Sequence, residues 1–244
     1  MKILALVTAR GGSKRLTGKN LRVLGGKPLM VWSIDVVKDL PEICDILLST
    51  DDVEIAQVGR SAGALVPWMR PPDLATDTAS SVDVALHALG WYEREHGEVD
   101  GLLLLQPTSP FRTKDTVCKG IRLFALCDRR SVIAVSPTPA HPMWTYKIGA
   151  HGLQPFIGGV HPPTRSQDLP PAYVINGNLY LIHPHELRTE RSFVGSNTTP
   201  LIIDSPSEAL DIDEEWDWFI AESIVKLRPT PISTGIEDKY PKGF

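Results

Sequence analysis

Leu4-Ala5-Leu6-Val7-Thr8-Ala9 runs directly into Arg10-Gly11-Gly12-Ser13-Lys14-Arg15, with Lys19-Asn20 close behind. The opening run shows no polar–apolar alternation, which predicts a strand buried on both faces, as in a parallel sheet covered by helices. A glycine pair then interrupts it, and four cations fall between positions 10 and 19. A buried strand that ends in a flexible cationic loop suits a polyphosphate, because glycines let backbone N–H groups approach an anion and cations neutralise it. On composition alone, an ordinary surface turn after a first strand is the alternative.

Spacing excludes two common phosphate loops. A Walker A loop needs a glycine, four residues, then Gly-Lys-Ser/Thr. Here Gly18-Lys19 is followed by Asn20, and Ser13 stands where the first glycine belongs. A dinucleotide fingerprint needs G-x-G-x-x-G with few charges, whereas this loop is crowded with them.

The pattern continues outward from this loop. Short apolar runs predict strands at 3–9, 45–49, 64–68, 101–106, 131–136, 178–183 and 200–204. Segments of helical period predict helices at 28–39, 53–62, 79–96, 113–127 and 214–227. The expected fold is an open, mostly parallel α/β sheet with helices on both faces. Such sheets bind ligands at the carboxyl ends of their strands. Arg10 to Lys14 follow the first strand, Asp51 the second, and Gln106 with Thr108 the fourth, so these groups converge on one edge. Ser80 or Ser81 is placed to cap the helix that follows.

Composition sets the remaining bounds. With 244 residues, 42% hydrophobic and 22% charged, the chain suits one sizeable globular domain, with room for a small lobe. A net charge of −4 gives no global attraction to nucleic acid. Cys44, Cys118 and Cys127 form no C-x-x-C pair, so buried free thiols in a reducing, cytoplasmic compartment are expected. No apolar stretch approaches the ~18 residues that a membrane span requires, and no signal peptide is evident. Between about 138 and 175 the alternation breaks into a Pro-, Gly- and His-rich stretch containing Trp144, Tyr146 and Phe156. At that length a structure of its own is expected. Residues 229–244 hold three prolines and read as a loosely attached tail.

Arg10-Gly11-Gly12-Ser13-Lys14-Arg15-Leu16-x-x-Lys19-Asn20 resembles the amino-terminal motif of the acylneuraminate cytidylyltransferases. Further matches follow in order: Ser49-Thr50-Asp51, Arg70-Pro71, Asp77-Thr78-Ala79-Ser80-Ser81, Leu105 through Arg112, Leu169-Pro170, Asn176-Gly177 and Asp211-Ile212-Asp213. The resemblance covers roughly residues 3 to 225 and implies transfer of CMP from CTP to the anomeric hydroxyl of a nine-carbon 2-keto sugar acid, releasing pyrophosphate. It also implies a homodimer in which 138–175 is the dimerisation lobe, within a cytidylyltransferase domain spanning 1–228.

The resemblance places Arg10, Lys14 and Lys19, with the backbone N–H groups of Gly11, Gly12 and Ser13, around the triphosphate. Asn20 goes to the nucleotide or to fixing the turn after the loop. Arg70 and Ser81 become readers of cytosine, whose amine donates while its O2 and N3 accept. Ser81 retains the helix-cap alternative.

Asp211 and Asp213 are two apart, so in an extended segment both carboxylates project to one face. Hard oxygen donors suit magnesium, and the resemblance implies that Mg²⁺ with these two acids and Lys19 forms the catalytic group. Asp213 is also placed to cap a helix starting at Glu214. On the sugar side the resemblance implies Gln106, Asn176 and Tyr180, with strand core as the alternative for Tyr180. An arginine that the family sets directly before Gln-x-Leu-Pro is displaced by one residue, with Ser166 in that slot and Arg165 before it. The family's Asn-Gly-Ala appears as Asn176-Gly177-Asn178. Both departures fall on the sugar side and tilt the expectation towards a bacterial diamino acid such as legionaminic acid. Sialic and pseudaminic acids are the nearest alternatives. A CMP-Kdo-type synthetase is the enzymatic rival, although its first loop ends in Gly-Lys-Pro. A non-catalytic sugar-nucleotide-binding protein on the same scaffold is the rival from another class.

Overall fold

The computed structural model describes residues 1–150, 152–158 and 165–227. Its elements, in chain order, are β1 (Ile3–Thr8), β2 (Val23–Leu24), β3 (Lys27–Pro28), α1 (Leu29–Asp35), β4 (Ile43–Ser49), α2 (Val53–Ser61), α3 (Ser81–His96) and β5 (Gly101–Leu105). There follow α4 (Lys114–Leu126), β6 (Val132–Pro137), β7 (Tyr146–Gly149), β8 (Gly152–Pro155), β9 (Tyr173–Ile182), α5 (Pro184–Glu190), β10 (Thr199–Ile202) and α6 (Glu215–Leu227).

Six strands form one sheet in the order β10-β6-β9-β5-β1-β4. β1 runs parallel to β4 and β5, and β10 runs parallel to β6. Only β9 is antiparallel to its neighbours β5 and β6. Every residue of β5 is buried, as expected of an unalternating Gly-Leu-Leu-Leu-Leu strand covered on both sides. Ile3, Ala5 and Val7 of β1 face one apolar layer with Met30, Ile55 and Phe124, from α1, α2 and α4. Leu4 and Leu6 face a second layer with Ala85, Leu89 and Leu187, from α3 and α5. The strand thus supplies both cores by its period of two.

A third, smaller cluster positions the site. It joins Leu16 of the cationic loop, Leu24, Phe111, Ile212 and Trp218. Leu16 is 2% exposed and Ile212 0%. Their burial against each other's neighbours brings together charged residues almost two hundred positions apart in sequence. Ile212 is pinned further by its N–H, which donates to the Thr108 carbonyl at 2.8 Å.

Several expected boundaries shift. Residues 64–68 do not form a strand: Leu65 makes an isolated parallel bridge to Leu47, and Pro67, lacking an N–H, cannot extend the ladder. Ser80, not Ser81, is the cap of α3 and accepts the Val82 N–H. α5 is an additional helix capped by the His183 ring, which accepts the His185 N–H, with Pro184 at its first position. The cysteines are free thiols but only partly buried.

From 138 to 172 the chain leaves the sheet and makes a hairpin of β7 and β8. Among the described residues of this stretch, none joins the three apolar clusters. The expected tail at 229–244 lies outside the described residues. No helix among the described residues is long and apolar enough to cross a membrane.

Candidate active site

A cleft of about 340 Å³ opens at the carboxyl ends of β1, β4 and β5. Arg10, Ser13, Lys14, Lys19 and Asn20 line it from the first loop. Arg70, Ser81, Gln106 and Asp213 enter from four other segments. Nine of the residues singled out in the sequence therefore meet in one cavity.

The loop is held from both sides. Asn20 donates its side-chain N–H to the Arg10 carbonyl at 2.9 Å, closing the turn, so its turn-fixing role is present alongside its place in the cleft wall. Lys19, although 9% exposed, donates to the Ile212 carbonyl at 2.7 Å and to Asp213 at 3.0 Å. Arg15 meets the other oxygen of Asp213 at 3.0 Å. At the opposite wall Arg10 pairs with Asp77 at 2.8 Å, and Lys14 reaches the second oxygen of the same carboxylate. The Lys14 contact and the Arg10 contact hold the Asp77 carboxyl below its usual range. The four loop cations are thus shared between two acids.

The glycines act differently from the expected cradle. The Gly11 N–H donates to Asp51 at 3.0 Å, and the Ser13 N–H to the Gly11 carbonyl at 2.9 Å. A side chain at Gly11 would bring its Cβ to 2.6 Å from an Asp52 oxygen, so close approach to the α2 cap requires glycine there. Gly12 has open space around it. The side chains of the loop, rather than the N–H groups of Gly11 and Ser13, face the cleft.

Arg70 is 7% exposed and is fixed by β4: its Nε donates to Ser49 Oγ at 3.0 Å and one Nη to the Ser49 carbonyl at 2.5 Å. Burial lowers its proton affinity, the Asp51 carboxylate opposes that, and Arg10 adds to it. Ser81 stands in the first turn of α3 with its side chain in the cleft wall, the capping task having gone to Ser80.

Asp213 does not cap α6. Asp217 reaches back instead and accepts the N–H groups of Asp213 at 2.9 Å and Glu214 at 2.8 Å, leaving the Asp213 carboxylate to the lysine and arginine. Asp211 is not among the residues lining the cleft; it reaches solvent, yet protein crowds it enough that desolvation raises its proton affinity. A hydrogen bond from Thr108 and the charge of Lys19 oppose that shift, while Asp213 and Asp217 reinforce it. Two carboxylates that repel each other beside a cleft fit a divalent cation, which would remove the repulsion. Among the described residues no group of three or more His, Cys, Asp or Glu side chains is arranged to hold an ion. Magnesium, which binds proteins through one or two carboxylates plus phosphates and water, needs no larger set.

The sugar-side expectations are scattered. Gln106 lines the cleft. Asn176 is 7% exposed, its side chain donating to Ser136 Oγ at 3.4 Å and accepting the Asn178 N–H at 3.1 Å. Tyr180 packs its ring on Phe193 in the second core layer, centroids 5.6 Å apart, as strand core. Arg165 is exposed in the excursion between β6 and β9.

Sequence reading missed Asp77 as a partner of the loop, Ser49 as the anchor of Arg70, and Arg112. The last is 4% exposed, and burial pushes its guanidinium down to about 9 while the Asp211 carboxylate works against that. It keeps its charge at neutral pH. The available signal for it was its place at the end of the Leu105–Arg112 motif, which gave the arginine itself no role.

Comparison with known proteins agrees with this geometry. A family model described as cytidylyltransferase matches residues 4–110. The CMP-N,N'-diacetyllegionaminic acid synthase of Legionella pneumophila is 38% identical over 235 residues, covering 93% of this chain and 97% of that one. An N-acylneuraminate cytidylyltransferase of Streptococcus agalactiae is 30% identical over 220 residues, covering 89% of this chain but 52% of its own longer one. Among solved structures, a CMP:2-keto-3-deoxy-manno-octonic acid synthetase complexed with CTP superimposes with a TM-score of 0.66 at 16% identity, covering 93% of this chain and 99% of that one. The last shares the fold. The near full-length match to the Legionella synthase, together with the cleft that gathers residues from several of the ordered motifs, shows that the chain belongs to the acylneuraminate cytidylyltransferase family of nucleotidyltransferases.

Proposed function

We propose that this enzyme moves the cytidylyl group of CTP to the anomeric hydroxyl of a legionaminic-acid-type 2-keto sugar acid, releasing pyrophosphate. The observation that carries the reading is the meeting of Lys19 with Asp213 inside the cationic cleft, beside Gln106. The 38% identity to a CMP-N,N'-diacetyllegionaminic acid synthase over nearly the whole chain supports the choice of acid.

In this mechanism the protein positions reactants and stabilises charge at an in-line displacement on the α-phosphorus. Arg10 and Lys14 exchange Asp77 for triphosphate oxygens. Lys19, fixed by a carbonyl and a carboxylate, presents a pre-oriented ammonium to charge developing on the phosphoryl group. Arg70 and Ser81 read cytosine, and Gln106 orients the sugar acid. Asp211 and Asp213 are the residues that would hold Mg²⁺, which supplies charge neutralisation and lowers the proton affinity of an attacking hydroxyl when bound.

The excursion between β6 and β9 supports a homodimer. Ile148, Leu153 and Phe156 are 90%, 72% and 69% exposed, and Tyr173, Val174 and Ile175 at the start of β9 are exposed as well. Exposed large apolar side chains in such number favour docking of a second copy. Three unpaired cysteines suit the cytoplasm.

The test is pyrophosphate release by the purified protein given CTP, magnesium and a panel of 2-keto sugar acids. Release with N,N'-diacetyllegionaminic acid above sialic, pseudaminic and Kdo acids is expected. Equal preference for another acid overturns the choice of sugar, and no release with any acid overturns the activity.

A further inference from the structure

Behind the cleft lies a buried polar seam that the reaction as described does not use. Arg112, between Phe111 and the α4 cap Thr113, donates from Nε to the Asn178 carbonyl at 2.7 Å. One Nη donates to Ser33 Oγ at 2.7 Å and the other to the Gln106 carbonyl at 2.8 Å. No carboxylate is among these partners. Asn178 is 0% exposed, and its side-chain N–H donates to the Glu208 carbonyl at 2.9 Å, three residues before Asp211. The Glu208 carboxylate in turn accepts from Thr116 of α4 at 2.6 Å.

Three chain segments therefore meet on two side chains: the end of β5 carrying Gln106, the irregular point of β9, and the loop that delivers Asp211 and Asp213. The register of β9 against β6 breaks here, between Ile133 and Val135, and Gly177 has a φ of +72°. A Cβ at Gly177 would sit 2.7 Å from Gln106 Oε1, so the Gln106 side chain lies directly against the backbone of β9. Burying a guanidinium costs several kcal/mol unless geometry and hydrogen bonding are very good, and an apolar side chain would fill the same volume without that penalty. What an apolar side chain could not do is fix three acceptors at once with a rigid planar fork.

We propose that Arg112 and Asn178 are positioning residues that hold Gln106 and the Asp211–Asp213 loop in register across the cleft, so that the acid's hydroxyl meets the nucleotide in line. The proposal rests on the transferase reading above. The nucleotide pocket, formed by the first loop and Arg70, touches neither residue, so the two functions separate. Turnover should depend on the seam far more than CTP binding does.

The experiment compares wild type with R112K and N178A, at a temperature well below each melting midpoint. CTP affinity is measured by calorimetry without acid, and kcat and KM with acid. R112K keeps the charge and loses the fork. N178A removes one hydrogen bond and leaves the Arg112 bonds to backbone in place. Expected is a fall in kcat of about ten- to hundred-fold for both, the scale of a small misplacement of reacting groups, with CTP affinity within about three-fold. Unchanged kcat in a folded variant, with only the midpoint lowered, means the seam is merely structural and overturns the proposal. A parallel fall in CTP affinity also overturns it. If R112K does not fold, N178A decides alone. An inactive wild type would fail the transferase reading instead, and is seen before any variant is compared.

Discussion

A lysine that is 9% exposed and an isoleucine that is 90% exposed mark two regions built on opposite plans. In the cleft, Lys19 is removed from water because an acid and a carbonyl replace its hydration. On the β7–β8 hairpin, Ile148 is left exposed by the described residues. The cleft is complete within one chain as far as its electrostatics go, with every loop cation paired to an acid from elsewhere in the sequence. The hairpin differs, since its apolar residues join no core among the described residues. On the proposed reading, charge marks the place where CTP enters and exposed apolar surface the place where a second copy docks.

The strongest way to break this contrast is at the cleft. Asp213→Ala removes the partner of both Lys19 and Arg15 and one of the two hard donors, and kcat should fall by about 10²–10³. Circular dichroism should remain that of the folded protein, because Trp218 and Ile212 still anchor α6. A fully active variant would remove Asp213 from the reaction. The hairpin offers the complementary break. Replacing Ile148 and Leu153 together by aspartate should weaken self-association by about a hundred-fold in sedimentation, while CTP affinity of the separated chain changes less than about two-fold. A dimer that survives would place the interface elsewhere.

A smaller effect sharpens the account of the cationic wall. Asp77→Asn leaves Arg10 and Lys14 without their carboxylate, so CTP should bind about two- to five-fold more tightly, within the range of an exposed ion pair. Weaker binding would show that Asp77 organises the loop instead of occupying it. The smallest effect concerns His87 on α3, stacked on Trp68 at 5.1 Å with its Nδ1 buried and unpartnered. Burial first, then Arg94 and Arg70, push the ring below its ordinary value of 6.5, while Asp73 opposes them. The unfolded chain therefore takes up a proton more readily. The stability present above pH 6.5 should decline as the pH falls through the folded value, and His87→Gln should flatten that decline in melting midpoints.

The sheet was largely legible because its strands are buried on both sides and carry unbroken apolar runs. The cleft was legible in its charged residues because anion binding demands cations and a flexible turn, and those are visible one by one. What escaped was pairing. Nothing local says that Asp77 serves Arg10, or that Ser49 aims Arg70, since such contacts are set by which strand ends lie side by side. Ser80 and Ser81 were indistinguishable because both hydroxyls stand next to the same helix start. The Asp213 cap was plausible until Asp217, one turn on, proved able to reach the same N–H groups. Residues 64–68 read as a strand from β-branched and apolar content, but Pro67 denied the ladder a donor. The hairpin of β7 and β8 had little signal because its apolar residues join none of the apolar clusters among the described residues.

The sharing of Asp77 between Arg10 and Lys14 bears on which anions the enzyme ignores. A cleft of bare cations would collect inorganic phosphate, sulfate and every passing nucleoside monophosphate at cellular salt. Here a lone small anion gains little by evicting a carboxylate that already makes two ion pairs and lies tethered at high local concentration. A triphosphate bound as proposed, touching several cations at once and adding base contacts, would outcompete that tether. On the proposed transferase reading, the intramolecular acid acts as a filter against common metabolites, set by one residue seven positions past Arg70.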